Sequence, residues 1–137
     1  MFSVIYLAGQ VRIGWATDTT NLRDSIFASL DQWNDDLTAE PQFAAMFHRG
    51  LQDFESLSDE EKPRFLHTAY GFFKVFENIY IHYLEGSIGS DAWLQNREIL
   101  YMFSKLPGGQ FYLRERRAAF DPRFIQELES VTDLKIR

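Results

Sequence analysis

One stretch restricts this chain more than any other: "LSDEEKPRFLHTAYGFFKVFENIYIHYLEG", residues 57–86. Ser58 and Glu61 have the spacing of a capping box, in which hydroxyl and carboxylate each bind the other residue's backbone N–H. Asp59 and Glu60 place negative charge against the positive end of a helix dipole. Pro63 falls near the first turn, where a missing N–H costs least. At about 100° per residue, Phe65, Phe72, Phe76, Ile79 and Tyr83 gather on one side. His67, Gly71, Lys74, Asn78, His82 and Glu85 gather on the other, which reads as a solvent stripe. The pattern predicts one long amphipathic helix from Asp59 to about Glu85, ended by Gly86 and Gly89. Such a ring-lined face has to be covered by other elements.

Those elements read as helices too. Leu22, Ile26, Phe27, Leu30, Trp33 and Leu37 follow helical spacing and stop before Pro41. Asp18, Thr19, Thr20 and Asn21 either cap this helix or lie within it. Pro41 suits a first helical position, followed by the stripe Phe43, Ala44, Phe47 and Leu51. Ser90 is read as the cap of a fourth helix carrying Trp93, Leu94, Arg97, Leu100, Tyr101 and Leu106. "PGGQ" reads as a turn, followed by a helix from about Gln110 to Ala119. Asp121 and Pro122 open a last one bearing Phe124, Ile125 and Leu128. The expected fold is all-α: a single-domain bundle of about five to six helices with one long central helix. Residues 1–16 form an apolar N-terminal segment and 17–137 the helical domain.

Composition narrows the function classes. The chain has 137 residues, 16% of them aromatic, which is enough for one real core. With no cysteine there is no disulfide framework, thiolate metal site or cysteine nucleophile. A net charge of −6 argues against general nucleic-acid binding, which draws on many Lys and Arg. The charge is segregated: Asp31 to Glu61 holds nine acids and one base, whereas Lys105 to Arg123 holds five bases and two acids. These regions are either solvated surfaces or docking faces for each other or for a partner.

No catalytic constellation, metal site or cofactor motif emerges. His82 and Glu85 are three apart, but on the solvent stripe, with no second such pair, and are not read as ligands. Glu77 flanks the aromatic face between Phe73, Tyr80 and Leu84. A carboxylate there needs a partner, for which Arg97, Arg114 or a tyrosine is available. It reads first as a tie between helices and second as a general acid or base. Arg114 and Arg117, three apart, share a helix face; Arg116 points elsewhere. "PGGQ" has neither the lysine nor the glycine spacing of a phosphate loop. Glu77, Arg97, Arg114 and Arg117 are thus the binding candidates.

The opening "MFSVIYLAGQVR" is apolar but meets Gln10 and Arg12 well short of the roughly 20 residues a membrane span needs. Taken with "LSDEE", Phe76-Glu77, Glu85-Gly86, Trp93 and Pro107-Gly108-Gly109, it resembles a widespread group of uncharacterised bacterial proteins with one N-terminal transmembrane helix and a small helical domain. The resemblance implies that "MFSVIYLAG" is the cytoplasmic end of a membrane helix; the alternative is a soluble form in which this segment packs into the bundle. It places the domain on the cytoplasmic side of a bacterial membrane, or in the cytoplasm if Met1 is the true start. The expected function is a non-enzymatic, membrane-proximal protein-interaction domain, an accessory subunit of a membrane complex. Its partners are another protein or a second copy through an aromatic surface, and a membrane through Phe2, Val4, Ile5, Tyr6 and Leu7, with no nucleic acid. The alternative is a small-molecule-binding or enzymatic bundle with its site around Glu77.

Overall fold

A computed structural model describes the backbone of residues 4–132 and the side chains of residues 21–131. Within them the chain is all-α. The helices are α1 (Val4–Thr38), α2 (Pro41–Gln52), α3 (Glu61–Leu84), α4 (Ser90–Lys105), α5 (Pro107–Glu115) and α6 (Pro122–Thr132). One-turn 3-10 segments at Phe54–Ser56 and Arg117–Ala119 join α2 to α3 and α5 to α6. α3 is the hub, and each of the other five helices packs on it. α1 has 35 residues to the 24 of α3, because it runs on through the Asp18 to Asn21 stretch.

The signals around α3 act as the residue pattern anticipates. Ser58 N–H donates to Glu61 Oε1 at 2.9 Å and Glu61 N–H donates to Ser58 Oγ at 3.2 Å, the reciprocal pair of a capping box. At the other end Gly86 takes φ +73°, and the N–H groups of Gly86 and Ser87 turn back to the carbonyls of Tyr83 and His82. A left-handed residue is cheapest as glycine. Phe65, Phe72, Phe73, Phe76 and Ile79 are buried, with Phe47, Trp93, Leu100, Tyr112 and Phe124 packed into the same core. Tyr83 lies only half-buried at the rim.

Three local expectations change. The presumed solvent stripe of α3 is partly a helix–helix contact, because α1 crosses it. Trp33 Nε1 donates to the Thr68 carbonyl at 2.8 Å, and a Cβ added at Gly71 would meet the Trp33 ring at 3.1 Å. Gly71 is therefore a close-approach residue, and its neighbour Val75 packs against the core. "PGGQ" is the first turn of α5 rather than a break before it. Pro107 takes the first helical position, and added Cβ atoms would strike the Gly50 carbonyl oxygen at 2.0 Å from Gly108 and the Phe103 carbonyl oxygen at 1.9 Å from Gly109. These glycines let α5 sit directly on the backbones of α2 and α4. Finally, Gly89 is the N-cap of α4 and Ser90 its first residue, with no side-chain cap bond.

Among the described residues, no helix is long and apolar enough to cross a membrane. The side chains of Phe2, Val4, Ile5, Tyr6 and Leu7, read above as a membrane contact, lie outside the described residues.

Candidate functional site

Glu77, the one acid among the candidates, stands on α3 with its side chain only 13% exposed. Oε1 accepts from Lys74 Nζ at 2.9 Å and Oε2 accepts the Asp121 backbone N–H at 2.6 Å. Lys74 Nζ also donates to the Ala119 carbonyl and lies 4.7 Å from the centre of the Phe120 ring. Asp121 in turn accepts from the Arg123 N–H at 2.8 Å, as a capping aspartate does at the start of α6. The carboxylate thus ties α3 to the segment that launches α6. Its cation is Lys74, one turn before it, rather than Arg97 or Arg114. Both carboxylate oxygens are engaged with protein groups, so the arrangement holds α3 against the start of α6.

Arg97 stands elsewhere, on α4, with its guanidinium carbon 5.8 Å from the Tyr101 ring centre and its buried Nε without a hydrogen-bond partner among the described residues. Beside it is a group that residue spacing does not reveal. Glu127 of α6 accepts from Tyr101 Oη at 2.9 Å and from Tyr80 Oη at 3.4 Å, joining α3, α4 and α6. Burial raises the pKa of both phenols, and the adjacent negative charge of Glu127 adds to it. Residues 47 and 26 apart in sequence leave no local pattern to find.

Arg114 and Arg117 line one shallow depression with Phe120, Pro122 and Ile125, but they do not continue a common helix face. α5 ends at Glu115, and Arg117 begins the 3-10 segment, where it pairs with Glu129 at 3.8 Å. Some of the segregated charges pair locally: Arg49 with Glu61, Lys62 with Glu55 and Arg123 with Asp121. What joins α2 to α5 is the apposition of Gly50 and Gly108. Among the described residues no three His, Asp or Glu side chains gather to hold a metal ion.

The exposed apolar surface concentrates on α4. Ile99 is 41% exposed and Met102 51%, three residues apart and so on neighbouring turns. Leu94, 47% exposed, lies on the same helical row as Met102, with Glu98 between them. Ile99 also forms one wall of a cleft of about 400 Å³ between α1 and α4, with Leu30, Leu37, Ala44, Phe72 and Phe103 on its other sides. Trp33 reaches this cleft from α1, its ring 5.6 Å from Phe47 and 5.0 Å from Phe72. Asp31, Asn34 and His48 stand around it, and exposed Asp35 lies on the next turn of α1.

Compared with family models, with curated proteins and with solved structures, the chain matches none. The resemblance to bacterial proteins with one transmembrane helix is thereby corrected. No family model supports it, and no described helix has the length and apolar character that the comparison requires. Short caps, glycine exits and lone tryptophans recur wherever helices start, stop and pack, which is why such pieces suggest a kinship they do not establish.

Proposed function

We propose that this chain is a non-enzymatic protein-interaction domain whose docking face is the α1–α4 cleft, and that its partner supplies a basic amphipathic helix. The observation that carries this is the exposed pair Ile99 and Met102 standing beside an apolar cleft of about 400 Å³. An apolar surface continuous with a cleft is what helix-in-groove recognition uses, with anchors spaced at three and four residues. Asp31 lines the cleft, and exposed Asp35 one turn on along α1 and exposed Glu98 beside Ile99 on α4 add negative charge near it, which favours Lys and Arg on the polar face of the incoming helix. The same acidity opposes pairing of two such faces from identical chains. The membrane-proximal placement expected above forms no part of this proposal.

The test is a titration of the protein, with methyl signals of Leu30, Leu37, Ile99 and Met102 as reporters, by a helical Leu/Lys peptide and by its Leu/Glu counterpart. Saturable shifts with the basic peptide alone, abolished by Ile99→Lys and Met102→Lys, support the reading. Equal response to both peptides, or shifts centred away from α4, refutes it. Self-association in sedimentation equilibrium that the same two substitutions abolish replaces the foreign partner with a second copy.

A further inference from the structure

A second cleft, separate from the α1–α4 face, opens between the first half of α3 and the end of α5. It measures about 680 Å³, within the range of small-molecule sites. Pro63, Leu66, Tyr70 and Ala119 supply apolar walls, and Lys62, His67 and Arg116 bring cationic or protonatable groups to it, against the single acid Asp59.

Tyr112 forms part of its lining. The residue is 1% exposed, its ring stacked on Phe73 at 5.6 Å and set edge-on to Phe120 at 6.2 Å. Among the described residues its hydroxyl makes no hydrogen bond to protein, and it is not one of the sealed-off polar atoms, so it keeps access to the cleft that it lines. The two other phenols buried among the described residues, Tyr80 and Tyr101, both reach Glu127. Burial pushes the Tyr112 phenol up to about 12, so at neutral pH it is a donor with a proton to give. Arg116 forms no ion pair among the described residues and is close enough to act electrostatically on that phenol. Lys62, by contrast, is already engaged by Glu55 at 3.2 Å and by the Phe54 ring at 5.6 Å.

We infer that this cleft binds a small organic anion with an apolar body, the anionic head held by the Tyr112 hydroxyl and the Arg116 guanidinium and the body against Leu66 and Tyr70. A carboxylate or phosphate accepts hydrogen bonds from both a neutral phenol and a guanidinium, whereas a cation offers neither group an acceptor. Packed between Phe73 and Phe120, the Tyr112 ring positions its donor before any ligand arrives, which lowers the ordering cost of binding.

Benzoate, phenyl phosphate and neutral benzamide, titrated separately while backbone amide signals are followed, test the assignment. Either anion should shift Leu66, Tyr70 and Ala119 to saturation, with benzamide weaker by about tenfold. A response to benzoate alone makes the ligand class carboxylates; a response to phenyl phosphate alone makes it phosphate esters. Tyr112→Phe and Arg116→Gln should each weaken anion binding about tenfold, while Lys105→Gln, outside the cleft, leaves it unchanged. Tyr112→Phe breaks no internal hydrogen bond, so its melting temperature should stay close to that of the parent protein. The inference is overturned if neither anion gives a saturable response, if benzamide binds as well as benzoate, or if Lys105→Gln costs as much as Arg116→Gln.

Discussion

Glu77 and Asp121, 44 residues apart, are joined by a 2.6 Å hydrogen bond in which the Asp121 backbone N–H donates to Glu77 Oε2. The donor is the N–H of the residue that caps α6, so one side chain of the central helix decides where the last helix begins. With Lys74 bridging Glu77 to the Ala119 carbonyl, the α5–α6 connection is held at both ends of a three-residue stretch.

Replacing Glu77 with Gln removes the charge and misplaces a donor toward the Asp121 N–H. We expect a loss of about 1–3 kcal/mol in urea unfolding, since hydrogen bonds to charged groups fall in that range and the partners remain half-buried. Hydrogen exchange should locate the effect: the Asp121 and Phe124 amides lose protection before Leu100 does. Equal loss across the core would mean that Glu77 acts on global stability alone.

Glycines 86 and 108 are required for different reasons, and alanine separates them. At Gly108 the added methyl would lie 2.0 Å from the Gly50 carbonyl oxygen, so α5 and α2 must move apart, at a cost of at least about 2 kcal/mol. At Gly86 nothing stands within 4 Å, and only the positive φ resists, at about 1 kcal/mol. Melting of both variants should rank Gly108→Ala well below Gly86→Ala.

Acid weakens the α3 start. The Glu61 carboxyl is held below its ordinary value, first by the Ser58 N–H and then by Arg49, and Asp121 is lowered by Arg123. Folded values below the unfolded ones mean that this stabilisation is present above the ordinary carboxylate pKa and is lost as pH falls through the folded values. Stability measured from pH 6 downward should therefore fall less steeply in Glu61→Gln and Asp121→Asn than in the parent chain, and added salt should reduce the difference because these groups are exposed.

Alkali acts in the opposite sense. The Tyr80, Tyr101 and Tyr112 phenols all have folded values raised above the ordinary 10. Their contribution is complete below that pH and is lost as pH climbs from it toward the folded values. Ultraviolet titration of phenolate should show these three ionising late or only with unfolding. Tyr101→Phe should flatten the alkaline decline, though it costs stability at neutral pH by removing the shorter of the two hydrogen bonds to Glu127.

Much of the architecture was legible along the chain because its causes are local. The capping box at Ser58 and Glu61, the prolines at 41 and 122, and the left-handed exit at Gly86 each act through residues within one turn, and the ring stripe of α3 repeats at the helix period. The all-α class follows from them. Other features depend on what arrives from a distance. Gly71 looks like a gap in a solvent face until α1 brings Trp33 onto it, and "PGGQ" looks like a turn until α2 and α4 come close enough to need two missing side chains.

The candidate sites divide in the same way. Glu77 stood out because a carboxylate beside an aromatic stripe needs a partner, yet which partner depended on the return of the chain at Asp121. Glu127 with Tyr80 and Tyr101, the exposed Ile99 and Met102, and the unpartnered hydroxyl of Tyr112 carry no periodic signal at all. Helix propensity, capping and burial pattern are set by neighbours three or four residues away, so the linear order of residues reports them. Clefts, unmet hydrogen bonds and exposed apolar faces are properties of which helices meet, and only the packed bundle decides them.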